Sequence, residues 1–482
     1  MRSLFWFRAD LRIQDNKGLI ESIQQSSEVI AIFILTPKMW VAHHAAPIKI
    51  QFLLKNLASL SQELLKRGIP LLIRETDYYS DCPKVLQTLC KQLKINALYF
   101  NKQYEFDEYR RDTAVITLLN KDNVSCYSFD DQVMLAPGTV LSQQKTPLKV
   151  FTPYKKAWII QAMKTSCWKT KACPLKKLKI NILPDSIPDS LKGFDGKVNL
   201  SVWPIGERVA HLWLKTFIEN KLRRYHEDRN YPAIEGTSRL SPYLNLGILS
   251  IRQCVVSMMQ ALELNSLAQI EEHPGPAAWF SELIWREFYK HILFLFPRVS
   301  RNQPFRLETK KIVWRYNEKY FKAWCEGKTG FPLIDAAMRQ LNQTGWMHNR
   351  LRMLTANFLT KTLFLNWQLG ETYFMQQLID GDLAANNGGW QWSASTGTDA
   401  APYFRIFNPI LQSKKFDPKG EFIRQFCPEL KDLNHRDIHE PYRYAPTVAK
   451  NNGYLLPLLP LNQHRLEVLE AFKSLKALDN AD

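Results

Sequence analysis

The residues with the most chemistry to offer lie between Leu378 and Pro409, in LIDGDLAANNGGWQWSASTGTDAAPYFRIFNP. Asp380 and Asp382 flank Gly381. Asn386, Asn387, Gly388 and Gly389 follow, and Trp390 and Trp392 flank Gln391. Side-chain amides both donate and accept hydrogen bonds. An indole offers a flat apolar face and one N–H donor. Glycine lets a backbone come close to a ligand. A packed core would use Leu, Ile and Val here, and the stretch nearly lacks them. Two readings follow: an irregular Gly-rich surface loop, or a wall built against a flat molecule with polar edges.

Three further constellations fit such a molecule. In WFSELIWREFY, Glu282, Trp285, Arg286 and Tyr289 fall at i, i+3, i+4 and i+7, on one helix face. A mixed acidic, basic and aromatic face suits a nucleobase; a helix–helix seam with one salt bridge is the alternative. In WMHNRLRM, Trp346, Asn349, Arg350 and Met353 share a face, and the thioether adapts to a cavity. Arg352 points elsewhere, toward an acid such as Asp380, as an ordinary buried ion pair or as part of a site. Thr237-Ser238-Arg239-Leu240-Ser241, after Gly236, offers hydroxyls and free N–H groups for phosphate at a helix start, or a plain helix cap.

These residues need a scaffold, and the chain is long enough to build one. Its 482 residues suggest two to four domains at roughly 150 residues each. Over the first 130 residues, strand-like runs (Leu4–Phe7, Val29–Leu35, Pro70–Arg74, Ala97–Phe100, Val124–Phe129) alternate with helix-like ones (Gly18–Gln25, Ile48–Arg67, Pro83–Leu93, Glu105–Asn120). That alternation predicts an α/β domain with a doubly wound, parallel, five-stranded sheet. No Gly-x-Gly-x-x-Gly follows the first strand, so the usual dinucleotide fingerprint is missing. Residues 131–205, rich in Pro, Lys and Ser, read as a long interdomain connection. From 206 to 482 the chain reads as an all-α domain, with long helical runs at Ala277–Leu295 and Trp346–Trp367 and a last helix near Arg465–Ala477.

Composition narrows the class. A net charge of +18 points to a polyanionic partner. Among the 8 Cys there is no Cys-x-x-Cys pair and no zinc-like Cys/His spacing, so no metal is expected and the thiols fit a reducing compartment. No apolar run approaches the ~20 residues that span a bilayer. The N-terminus is charged too early for a secretory signal. The expectation is a soluble, cytoplasmic protein.

The Leu378–Pro409 stretch resembles the flavin-binding core of the DNA photolyase and cryptochrome family. Similar segments recur at WFRADLRIQDN, EGTSRLSPYLNLG, WFSELIWREFYKH and GKTGFPLIDAAMRQLNQTGWMHNRLRM. The chain is similar to bacterial class I cyclobutane pyrimidine dimer photolyases. The resemblance implies an N-terminal antenna domain and a helical domain holding folded FAD, whose reduced anionic form is the working cofactor. Carried over by position, the flavin residues would be Tyr225, Thr237, Ser238, Arg239, Leu240, Ser241, Trp279, Trp346, Asn349, Arg352, Asp380, Gly381, Asp382 and Asn386, the last facing flavin N5. The lesion would meet Glu282, Trp285, Asn349, Met353 and Trp392, with Glu282 bonding a dimer carbonyl. Trp390, Trp367 and Trp314 would form an electron relay. Arg286 and Tyr289 would face DNA, and Arg229, Arg350, Arg405 and Lys415 its phosphates. The antenna would be 5,10-methenyltetrahydrofolate at His43, Asp107, Glu108, Ser300 and Arg301, although Asp107 and Ser300 depart from the family's Asn and Cys; a deazaflavin, or no antenna, is the alternative.

The implied reaction is light-driven repair of cyclobutane pyrimidine dimers by electron transfer from excited reduced FAD to a flipped-out lesion, in double- or single-stranded DNA. The expected protein is a monomer with no obligate protein partner and no membrane. The rivals are a (6-4) photolyase, which would carry His where Asn349 stands; a signalling cryptochrome, which would carry a longer C-terminal tail and, in plants, Asp in place of Asn386; and a basic nucleic-acid-binding protein without catalysis.

Overall fold

A computed structural model describes residues 1–176, 178, 180–194 and 199–479. Residues 177, 179 and 195–198 of the expected connection, and 480–482 of the expected helical domain, lie outside the described residues. The chain groups into two compact units. The first comprises Met1–Arg223, Ser238–Ser300 and Ile379–Ala384; the second comprises Arg224–Thr237, Arg301–Leu378 and Ala385–Asp482.

The first unit is built on a parallel sheet of β1 (Arg2–Phe7), β2 (Glu28–Leu35), β3 (Leu71–Glu75), β4 (Ala97–Asn101) and β5 (Ser125–Phe129), in the order β3-β2-β1-β4-β5. All five strands lie within a residue or two of their expected spans. The near-continuous apolar runs LFWF and VIAIFIL are buried, as strands covered on both faces require. Helices Lys17–Gln25, Pro47–Leu65, Cys82–Leu93 and Phe106–Lys121 fill the connections. The first begins at Asn16, whose side chain accepts from the Leu19 amide. Strand order reverses beside β1, where such sheets commonly bind ligands. Here the chain's own side chains occupy that crevice: Asn101 donates to Asp10 at 2.6 Å and to Asn16 at 2.8 Å.

Residues 131–205, expected as a long interdomain connection, include regular structure. They contain the helix Phe151–Thr165, on which Phe151, Tyr154 and Trp158 are buried at i, i+3 and i+7. That aromatic face was legible in FTPYKKAW but is diluted by flanking Pro and Lys. It packs on the helix Pro274–Leu295, and the Trp158 indole donates to Glu287 at 2.7 Å.

Loops and helices of this unit meet at a buried ionic knot. Arg12 and Arg252 pair with Asp131 at 2.5 and 2.6 Å, and Arg252 also holds Asp15 at 2.8 Å. Arg252 opens the helix Ile251–Ala261, while Asp15 follows β1, so the knot clamps two distant parts of the chain.

The second unit is helical. Helices Pro332–Thr344, Asn349–Asn357 and Trp367–Gln377 surround a core that includes Trp324, Met338, Leu351, Leu359, Trp367 and Trp390. The run Trp346–Trp367, expected as one helix, is broken. His348 caps the start, accepting from the Arg350 amide at 3.1 Å, so Trp346 precedes the helix and does not share its face. The helix widens into a π turn at Phe358–Thr362 and stops where Phe364 adopts φ +55°, a left-handed conformation that ends helical hydrogen bonding. The last helix is Arg465–Asp479. Among the described residues, no helix is long and apolar enough to cross a membrane.

Replacing Arg252 with Ala leaves Asp15 and Asp131 short of a buried partner and should cost about 3–5 kcal/mol in denaturant unfolding near pH 7. Burial raises the Asp131 carboxyl, but Arg12 and Arg252 overcome this and hold it at about 2, below its usual 3.8. Stability from this group is therefore fully present above pH ~4 and is lost as pH falls through ~2. The penalty of Arg252→Ala should shrink over that window; a penalty below ~1 kcal/mol, or one independent of pH, would contradict the assignment.

Candidate active site

In the first unit, Pro274 occupies the opening turn of the Pro274–Leu295 helix, where its missing N–H costs nothing. One side of the helix buries Phe280, Leu283, Ile284 and Phe288, whereas Glu282, Trp285, Arg286 and Tyr289 are half-buried. Trp285 lies flat on Phe151, ring centroids 3.7 Å apart and planes 7° from parallel. The Arg286 guanidinium donates to the carbonyls of Gln132 at 2.6 Å and Leu244 at 3.2 Å, which ties its terminal nitrogens to backbone.

The Asp380–Asp382 loop is held by three side chains. Ser241 donates to Asp380 at 2.5 Å, Lys49 to the Gly381 carbonyl at 2.5 Å, and Lys290 pairs with Asp382 at 3.0 Å. Lys290 also reaches Glu105 at 3.5 Å. Ser241 therefore does not act as a helix cap: it is the first residue of the short helix Ser241–Asn245, and its hydroxyl goes to the aspartate. Ser238 accepts from the Leu240 amide at 3.4 Å, Arg239 takes φ +51°, and Leu240 and Trp279 are buried, the latter against Phe217. Lys49 and Lys290 escaped the sequence reading. Each stands beside apolar residues in a helical stretch that carries other polar side chains too, a pattern that lysines at surfaces also produce. Burial pushes the Lys49 amine down, against the pull of Asp382 and Glu105.

The antenna candidates of this unit also meet. His43 lies 3.2 Å from Asp107 and 3.8 Å from Glu108, and Tyr79 donates to the same Glu108 oxygen at 3.2 Å. Glu108 is 7% exposed, its second oxygen is buried without a hydrogen bond, and burial followed by Glu105 raises its carboxyl. Ser300 accepts from the Phe106 amide at 2.9 Å. Arg301 is exposed and lies in the second unit.

In the second unit, the supposed loop proves to be the helix Leu383–Ala394 from Ala385 onward, despite its two glycines. A Cβ added at Gly389 would meet no atom within 4 Å, so that position faces open space. Asn386 donates its amide nitrogen to the Glu371 carbonyl at 3.0 Å. Burial pushes the Glu371 carboxyl up to about 7, with Asn387 beside it opposing the shift. Gln391 accepts from the Phe305 amide at 2.7 Å and donates to Asn387 at 2.7 Å, which fixes the helix between Trp390 and the half-buried Trp392.

Trp390 and Trp367 belong to one buried cluster, and Trp314 packs against it at half-burial. Trp390 contacts Phe374 at 5.0 Å and lies so near Gly370 that a Cβ there would sit 2.1 Å from the indole. Trp314 contacts Phe364 at 5.3 Å. Lys361, 1% exposed, donates to the Ala394 carbonyl at the end of the asparagine-bearing helix and lies 3.9 Å from the Phe472 ring; burial pushes its amine down to about 7. A cation suits the negative end of a helix.

The remaining candidates of this unit are spread along it. Asn349 is exposed at its helix start and shares a face with the half-buried Met353. Arg350 bonds Asn230 at 2.5 Å and lies 4.7 Å over Phe416. Arg352 donates to the Met347 carbonyl at 2.8 Å. Trp346 is buried and Thr237 half-buried; Arg229 stands over the Tyr225 ring at 5.3 Å. Arg405 and Lys415 are exposed, beside Phe407 and Phe416. No cluster of metal-ligating side chains exists among the described residues.

The pattern of the family described as DNA photolyase matches residues 3–174, and that of the FAD binding domain of DNA photolyase matches residues 279–474. A deoxyribodipyrimidine photo-lyase of Salmonella typhimurium is 44% identical over 98% of both chains, and one of Escherichia coli 42% identical over 98% of both. A class III photolyase structure from Agrobacterium tumefaciens superposes with a TM-score of 0.88 at 31% identity, covering 99% of this chain and 98% of that one. A Synechocystis cryptochrome structure gives 0.86 at 25% identity, covering 98% and 99%.

Glu371 provides a test of the site's dryness. The folded protein keeps its proton up to pH ~7, whereas the unfolded chain releases it near 4.5. Its contribution to stability is thus fully present below pH ~4.5 and lost as pH rises through ~7. Glu371→Gln should therefore unfold at higher temperature than the parent at pH 8, by on the order of 3 kcal/mol, and equal it near pH 4.5. Equal melting at pH 8 would refute the buried, neutral carboxyl.

Proposed function

The chain belongs to the DNA photolyase family, and we propose that it splits cyclobutane pyrimidine dimers in DNA with light, as a deoxyribodipyrimidine photo-lyase. The observation that carries this reading is identity of 44% and 42% over nearly the whole chain with proteins of that name. When bound, reduced FAD supplies a light-excited electron to the dimer, whose ring opens before the electron returns.

The chain's own groups suit that cofactor. The donors and acceptors are amide, hydroxyl, carboxylate and guanidinium, as a flavin's polar edge and its phosphates require. We assign FAD contacts to Tyr225, Thr237–Ser241, Trp279, Trp346, Asn349, Arg352, Asp380–Asp382 and Asn386. With its nitrogen bonded to the Glu371 carbonyl, the Asn386 amide keeps its oxygen to accept from a protonated N5. Ser241, Lys49 and Lys290 hold the Asp380–Asp382 loop in place for this task. Trp390, Trp367 and Trp314 serve as the electron relay.

The extruded dimer meets Trp285 and Trp392 as apolar plates, and Glu282, Asn349 and Met353 as its polar and adaptable contacts. Flipping is easiest for a damaged pair, which has already lost stacking. Glu282 can donate to a dimer carbonyl only while its carboxyl carries a proton, and that bond stabilises the negative charge that develops there. Arg229, Arg350, Arg405 and Lys415 bind phosphate without reading sequence. The reading includes a monomer in a bacterial cytosol. A blue-light receptor is the second reading, supported by the likeness to a cryptochrome structure.

The unpartnered, buried Glu108 oxygen, with His43, Asp107 and Tyr79 around it, suits the amino edge of a pterin and supports methenyltetrahydrofolate as antenna. Glu108→Ala should weaken retention of that folate roughly 10- to 100-fold by equilibrium binding; unchanged retention would remove Glu108 from the antenna site.

The main test gives the reduced protein DNA containing either cyclobutane or (6-4) lesions, under blue or near-ultraviolet light and in the dark. Repair of the cyclobutane lesion alone, and only in light, is expected. Absence of repair by the flavin-loaded protein favours the receptor, and repair of (6-4) lesions alone reassigns the substrate.

A further inference from the structure

We propose that Phe151 is a positioning residue for dimer recognition: it backs one face of Trp285, so that the indole is already flat when the lesion arrives. This rests on the reading that Trp285 meets the dimer.

The geometry is specific. Aromatic pairs ordinarily settle offset or edge to face, with centroids 4.5–7 Å apart. Phe151 and Trp285 lie at 3.7 Å and 7°, nearly face to face, a packing that holds one ring flat against another. Trp285 is fenced further by Phe288, edge-on at 5.5 Å, and Tyr289 at 5.5 Å. Phe151 itself is 9% exposed, whereas Trp285 remains half-buried.

The position of Phe151 is determined from elsewhere on its helix. Two turns on, Trp158 donates to Glu287, which is 1% exposed on the Pro274–Leu295 helix. Glu287 also accepts from the amides of Met134 and Leu135, so it binds the start of the 131–205 segment to the same helix. Between them, Tyr154 contacts Phe288 at 5.1 Å and His291 at 5.0 Å. On the outer side, Lys155 donates to Ser281 at 2.8 Å and to Glu271 at 2.7 Å. The Phe151–Thr165 helix is thus clamped over its first two turns, and its first aromatic residue has little room to leave Trp285.

A stacking platform that is ordered beforehand loses less side-chain freedom on binding, and that saving appears as affinity. The expected signature is therefore a weaker grip on the lesion, with no change in the light-driven step. Phe151→Leu keeps apolar bulk and removes the flat face. It should raise the Kd for dimer-containing DNA roughly 2- to 10-fold, without altering affinity for undamaged DNA, and Phe151→Tyr should restore the parent value. The loss should appear in KM, with the repair rate at saturating DNA retained. Flavin absorbance and thermal melting of each variant report whether the fold is kept.

The double mutant separates the two claims. With Trp285→Ala in place, Phe151→Leu should have no further effect on dimer affinity. If Trp285→Ala by itself leaves the preference for dimers intact, the lesion-pocket reading fails. If Trp285→Ala abolishes it but Phe151→Leu changes nothing, or weakens undamaged and damaged DNA alike, the positioning role is overturned.

Discussion

Charge removed from water must be met by partners, and the loop at Asp380–Asp382 shows how much of the chain that condition recruits. Its groups are answered by Ser241, by Lys49 on the helix that follows β2, and by Lys290 on the long helix, which in turn reaches Glu105 just before the helix that follows β4. A buried ion without such partners costs several kcal/mol. The α/β sheet therefore has a role beyond its own core: its connections deliver Lys49 to a carbonyl 332 residues later in the chain, and Glu105 to the lysine that holds the same loop.

The same condition operates differently in the helical unit, where amides and backbone carbonyls replace ion pairs. Asn386 is oriented by the Glu371 carbonyl and Asn387 by Gln391, and Lys361 meets the far end of the same helix beneath Phe472. Glu371 and Lys361 are dry enough to titrate near neutrality. Such groups form a rigid, weakly screening surround, in which each fixed dipole acts strongly. Trp390 is confined in the same manner by Gly370, the residue type that lets the indole approach the neighbouring helix backbone.

Against the long helix runs an aromatic seam of Phe151, Tyr154 and Trp158. It turns a stretch that looks like a linker into a packed support for Trp285, with Glu287 as the polar pin that sets its register. Conformational order acquired during folding need not be acquired again when a ligand binds.

Much of this was legible in the residues themselves. Strand spans, the parallel sheet and the helices between them follow from short-range hydrophobic period, which is a local property. The composition of Leu378–Pro409, and the mixed face of Glu282, Trp285, Arg286 and Tyr289, are equally local, and they are what suggests surfaces for a flat, polar-edged molecule. Other features were settled only by tertiary contact. Whether Asn-Asn-Gly-Gly forms loop or helix depends on packing that overrides weak propensity. The break in Trp346–Trp367 depends on a histidine cap and on one left-handed phenylalanine, neither of which leaves a trace in periodicity. The carbonyls that bond Arg286 come from distant segments, and the partners of Lys49 and Lys290 likewise leave no mark on their local sequence. Local pattern tells which side chains share a face; only the closed chain decides which of them water can no longer reach, and so which must find a partner.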